Sequence, residues 1–155
     1  MLDSRRVDQV LMNHINTVEL NLPARLESLS VLEACVTALL NQEPDLSDRD
    51  ARTFEVVLAV HETCTNIIEH AYQSAPGRVQ VALTFLDRPR RLEIEVHDTG
   101  EPFDLSDVRP PNLDEAQTGG YGLFLIHHLM DEVAYSPERG NNRWRLVKRL
   151  EKVKP

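Results

Sequence analysis

Residues 60–72 read VHETCTNIIEHAY. The run opens like the zinc-protease helix, in which two histidines one turn apart hold the metal. Thr65 stands where the second histidine belongs, so the zinc reading fails. What remains is Glu62 and Asn66, four residues apart and therefore neighbours on one face of a helix. Asparagine is a poor helix former, and its place in mid-helix calls for a reason. A carboxylate and a neutral amide at this spacing suit a hard cation: the amide oxygen ligates Mg²⁺ while the carboxylate stays free as a base. Taken alone, the same face also fits an ordinary solvated helix.

The helix around this run is expected to start at a capping box, Ser47 with Asp50, and to continue to about Gln73, ahead of the stop signal SAPG. Its apolar face holds Phe54, Val57, Leu58, Val60, Cys64, Ile67, Ile68 and Ala71, with Glu55, Ala59, Glu62, Asn66 and Glu69 opposite. Upstream, HINTVELNL reads as an edge strand. Pro23 then suits the first turn of a helix that ends near Asn41, with Leu26, Leu29, Leu32, Val36 and Leu39 as its stripe. Downstream, Val79, Val81, Leu83 and Phe85 alternate, as do Leu92, Ile94 and Val96, and Pro89 marks the turn of a hairpin.

The second strand of that hairpin ends abruptly in Asp98-Thr99-Gly100. An aspartate there can accept a hydrogen bond from an exocyclic amine, and Gly100 lets a flat ring approach the backbone. It is equally an ordinary turn. Residues 99–118 lack periodicity and include Pro110 and Pro111, the mark of a functional or mobile loop. TGGYGLFLIHHL then places Gly119, Gly120 and Gly122 at the head of an apolar helix, where free backbone N–H groups attract phosphate. The dinucleotide fingerprint is absent, because no third glycine follows at its spacing and no βαβ unit surrounds it. A P-loop is excluded as well, since the lysines are Lys148, Lys152 and Lys154, far from any glycine loop. EVAYS and NNRWRLVKRL close the chain as a strand pair turning at 138–142.

At 155 residues the chain is one domain, with 41% hydrophobic and 27% charged residues. A net charge of −8 argues against nucleic acid as a partner. No apolar run has membrane-spanning length, and a cytoplasmic protein is expected. Cys35 and Cys64 lie in apolar helical patterns and read as buried thiols. The expected organisation is an arm over 1–14, a domain over 15–150 and a tail over 151–155. The domain is an α+β two-layer sandwich with a mainly antiparallel mixed sheet covered by helices on one face.

The order of the pieces is far rarer than any one of them. A Glu/Asn helix, a strand ending in Asp-x-Gly, a long loop and a glycine-headed helix together resemble the GHKL-type (histidine-kinase-like) ATP-binding family, with its Bergerat fold. Within it the likeness is to anti-sigma-factor serine/threonine kinases of bacterial partner-switching systems. ETCTNIIEHAY resembles that family's N box, DTG its first glycine box, GGYGLFLI its second, and GNNRWRLVKRL its closing strand.

The resemblance implies ATP and Mg²⁺. Asn66 would hold the metal against the phosphates, and Glu62 would be the general base for a serine or threonine hydroxyl. Asp98 would accept the adenine amino group, and Gly100 would allow the base close. Gly120 and Gly122 would bind phosphate, flanked by Thr118 and Gly119. Residues 101–118 would form a lid, in which Arg109 reads as an exposed arginine or a phosphate contact. Pro102 stands where the broader family often has a second glycine, which alters the path of that lid. The implied partners are a STAS-type anti-anti-sigma protein and a sigma factor, and the implied assembly a homodimer. His61, His70, His127 and His128 read as packing histidines. A non-catalytic ATP-binding module and a detached histidine-kinase catalytic domain are the rival readings.

Overall fold

The computed structural model describes residues 16–105 and 121–152. The chain runs through strand β1 (Thr17–Pro23), a 3-10 turn (Leu26–Ser28), helix α1 (Leu29–Gln42) and helix α2 (Arg49–Asn66), which passes into a π turn (Ile67–Ala71). Strands β2 (Arg78–Asp87) and β3 (Arg90–Asp98) follow, then helix α3 (Tyr121–Leu129) and strands β4 (Glu132–Ser136) and β5 (Asn142–Arg149). The strands form one sheet in the order β1-β2-β3-β5-β4. Among the described residues every pairing is antiparallel, so the expected mainly antiparallel sheet holds no parallel pair there.

Alternation decides which face of the sheet meets the helices. Val79, Val81 and Leu83 of β2 and Leu92, Ile94 and Val96 of β3 are buried, and Asp98 continues that series. On β5 the same face carries Asn142, Trp144, Leu146 and Lys148, all buried. Leu32 and Val36 of α1, Val56 and Val60 of α2, Ile67 of the π turn and Ile126 of α3 close the core from above. The result is the α+β two-layer arrangement, with its helices on one face. The other face is polar. Arg145 there bridges Glu93 and Glu132. Burial pushes the Glu93 carboxyl up, but the Arg145 hydrogen bond and charge, with Arg91, hold it below the ordinary range.

Several local expectations give way to tertiary contacts. Pro23 ends β1, paired with Arg78, rather than opening a helix. Ser47 makes no cap: its N–H and hydroxyl both donate to the Glu151 carbonyl, and Asp48 enters α2 in a left-handed conformation. The apolar stripe of α2 is rotated by about one residue from the expected one. Phe54 is 65% exposed, whereas Val56 and Ala59 are fully buried. Leu26 falls in the 3-10 turn before α1 and is exposed, while Leu40 of α1 is fully buried. The second helix is regular to Asn66 and then widens, with the Tyr72 N–H reaching back five residues to the Ile67 carbonyl.

Lys148 fastens the C-terminal end of α3. Its Nζ donates to the Leu129 carbonyl at 2.6 Å and pairs with Glu55 of α2 at 2.7 Å. A cation at a helix C-terminus offsets the partial charge of the last carbonyls. At the chain's end Lys152 bridges to Leu46, tying the segment before α2 to the residues after β5. The arm over 1–14 lies outside the described residues.

Candidate functional site

Glu62 and Asn66 lie on the flank of α2 that meets the first turn of α3. A methyl group built on Gly122 would stand 2.9 Å from Glu62 Oε2 and 3.4 Å from Asn66 Nδ2. Glycine therefore lets the backbone of α3 come directly onto both side chains. Glu62 remains 27% exposed, so its carboxylate is reachable from solvent. A carboxylate, an amide and the first turn of a helix are thus gathered at one point.

A second group forms at the end of β3. Asp98 is 2% exposed. Its Oδ1 accepts the Gly100 N–H and the Asn142 Nδ2, each at 2.9 Å. Its Oδ2 is buried and finds no donor among the described residues. Burial pushes the carboxyl above its ordinary range, and the Asn142 bond, the Gly100 bond and the His97 charge only partly oppose this. An ionised oxygen so placed fits an N–H brought by a ligand, the chemistry of an exocyclic amine.

The two groups share one rod. Gly100 packs on the π turn that continues α2: a Cβ there would meet the Ala71 carbonyl oxygen at 2.6 Å. The Glu101 N–H donates to that same oxygen at 2.9 Å. Helix packing is thus sufficient to require glycine at 100. Ala71 lies five residues beyond Asn66, at the end of the π turn that continues α2. The Tyr72 hydroxyl locks the junction, donating to the Arg78 carbonyl at 2.7 Å and accepting the Thr99 N–H at 3.0 Å. Beside Asp98, Phe103 packs edge-on against Trp144, and its N–H donates to the Tyr135 hydroxyl at 2.9 Å.

Of the residues expected at the site, Glu62, Asn66 and Gly122 come together, and Asp98 and Gly100 adjoin the same helix. Thr118, Gly119, Gly120 and Arg109 lie outside the described residues. Glu55, expected on the same polar face, is taken up by Lys148 and Arg52. The histidines are not core residues. His61 sits half-exposed, 3.4 Å from Glu33 and 4.0 Å from Glu62, while His70, His127 and His128 are exposed. Cys64 is a buried thiol, pushed up to about 12 by burial and then by the Asp98 charge, and Cys35 is also free.

The residue that sequence reasoning missed is Asn142. A polar residue beside Gly140 and Asn141 reads as part of a turn. The signal was its parity: Asn142, Trp144 and Leu146 fall on one face of a strand, and that face is buried.

With this geometry in place, the class is clear: residues 22–148 match the histidine kinase-like ATPase domain, and the chain belongs to that family. Among individual proteins, it is similar to the serine-protein kinase RsbW of Bacillus cereus, 28% identical over 138 residues, covering 84% of this chain and 83% of the relative. The serine-protein kinase RsbW of Bacillus thuringiensis is 29% identical over 139 residues, with the same coverage. The fold also matches a crystal structure of the RsbU and RsbW domains from Mycobacterium tuberculosis, with a TM-score of 0.64 and 18% identity. That match covers 88% of this chain but 32% of the larger one. A histidine kinase domain from Erythrobacter litoralis superposes with a TM-score of 0.52 at 15% identity, covering 83% of this chain and 62% of that one. Among the described residues no helix is long and apolar enough to cross a membrane.

Proposed function

We propose that this protein is an ATP-dependent serine/threonine kinase of a bacterial partner-switching system. Its substrate is a STAS-type anti-anti-sigma protein in the cytoplasm, and a sigma factor is the second partner, held by sequestration. The observation that carries the proposal is the meeting of Glu62, Asn66 and the Gly122 backbone at one point, with the buried Asp98 Oδ2, unpartnered among the described residues, beside the turn that continues the same helix. Similarity to kinases named for serine phosphorylation supports the acceptor chemistry.

Each residue has a definable task. Asp98 Oδ2 receives the adenine amine, and Gly100 lies beneath the base. Asn66 Oδ1 is the ligand for Mg²⁺, which when bound offsets negative charge on the phosphates. The amides of the first turn of α3 bind the phosphate oxygens, a task that Thr118, Gly119, Gly120 and Gly122 share by sequence position. Glu62 takes the proton from the acceptor hydroxyl as its oxygen attacks the γ-phosphorus and ADP departs.

The decisive experiment incubates the chain with γ-labelled ATP, Mg²⁺ and a STAS-type protein from the same cell. Label is expected on a serine or threonine of that protein. An ATP-dependent complex that never transfers label would instead make the chain a binding module, and acid-labile label on histidine would make it a histidine kinase. A milder lesion tests the geometry. Gly122→Ala is expected to leave the melting temperature within about 2 °C, because the atoms it meets are flexible side-chain ends. Transfer is expected to fall about tenfold as Glu62 and Asn66 are pushed aside. Equal losses of stability and transfer would show that Gly122 serves packing alone.

A further inference from the structure

We propose that Asn142 is a positioning residue that makes the site select a 6-amino over a 6-oxo purine, by holding Asp98 as a hydrogen-bond acceptor. The inference rests on the proposed function, since it takes a purine nucleotide to lie against Asp98.

Asn142 is fully buried, with its polar capacity committed. Its Nδ2 donates to Asp98 Oδ1 and to the Gly100 carbonyl, each at 2.9 Å, and its Oδ1 accepts the Glu138 N–H at 3.2 Å. The β3–β5 register sets Asn142 directly opposite Asp98. The amide cannot turn over, because flipping would set its oxygen against a carboxylate and a carbonyl, and its NH₂ against an N–H.

The consequence lies in what Asp98 Oδ2 can do. Two donors on Oδ1 favour the ionised carboxylate. In that state Oδ2 can only accept, and its complement is an amino group. A protonated Asp98 would instead present an O–H, whose complement is the carbonyl that hypoxanthine and guanine carry at the same position. Burial drives Asp98 toward protonation, and the Asn142 hydrogen bond is the largest effect opposing it. The other titratable groups around Asp98 give little help. Cys64 of α2 and Tyr135 of β4 are both held neutral by burial, which leaves the charge of His97 on β3. Asn142 therefore decides whether the site asks for an amine or a carbonyl.

The test measures binding of ATP and inosine triphosphate, with Mg²⁺, to the full chain by calorimetry over about pH 5.5 to 8.5. Wild type, Asn142→Ala and Asn142→Ser are compared, with thermal melts as the check on folding. Wild type is expected to favour ATP by about tenfold or more. In Asn142→Ala this preference is expected to shrink by about tenfold. Its ATP binding should also fail on acidification at a higher pH than in wild type, while inosine triphosphate binding persists. Asn142→Ser, which keeps one hydroxyl donor, should lie between, and it decides the matter if the alanine variant does not fold. A merely structural role would weaken both nucleotides in proportion, and an unchanged ratio and pH profile in a folded variant overturns the inference alone. Wild type binding neither nucleotide overturns the proposed function, and this inference with it.

Discussion

Replacing Glu62 with glutamine is expected to slow phosphoryl transfer by about 10²–10⁴-fold while ATP affinity stays within about threefold. Glutamine keeps the size and the contact with α3 but cannot take a proton. The carboxylate faces the Gly122 backbone and is partly open to solvent, so an incoming hydroxyl can reach it. Because the lost interaction belongs to the transition state, the effect should appear in the transfer rate and not in nucleotide binding. Single-turnover transfer and calorimetric titration of ATP read the two quantities separately. If affinity collapses along with transfer, Glu62 shapes the nucleotide site and some other group accepts the proton.

Asp98→Asn should separate stability from binding in the opposite sense. An asparagine that keeps its carbonyl toward Asn142 and the Gly100 N–H must point its NH₂ where Oδ2 stood, donor against donor for an adenine amine. Loss of a charged hydrogen bond of about 1.5–3 kcal/mol corresponds to about a 10- to 150-fold drop in ATP affinity. The fold should not suffer. The Asp98 pKa is raised in the folded state, so the contribution of this group is present below the ordinary aspartate range and is lost as pH rises through the folded value. At pH 7 the ionised carboxylate is thus a cost that asparagine removes. The melting temperature of the variant should equal or exceed that of wild type at pH 7, and the gap should narrow as pH falls toward 4. A clearly less stable variant would mean that the charge itself holds the β3–β5 end together.

Much of this was legible in the sequence because it rests on short-range geometry. Glu62 and Asn66 meet through helical spacing, and Asp98 is fixed by the end of an alternating strand. The hairpin from Val79 to Val96 follows from parity. What was not legible depends on partners distant in the chain. Apolar side chains at Phe54, Val56, Val57, Leu58 and Val60 surround most of α2, so periodicity could not choose the buried stripe, and the sheet and neighbouring helices chose it. The capping box at Ser47 lost to the Glu151 carbonyl, 104 residues away. Parity could place Asn142 on the buried face of β5, but not name the carboxylate 44 residues earlier that it bonds.

The π turn has a thermodynamic consequence. At its end the Ala71 carbonyl, free as helix-terminal carbonyls are, accepts the Glu101 N–H and so joins a long helix to the end of a central strand, and Tyr72 adds a second anchor across the seam. The conformational entropy of shaping that corner is lost once, when the chain folds, and not again each time a purine arrives.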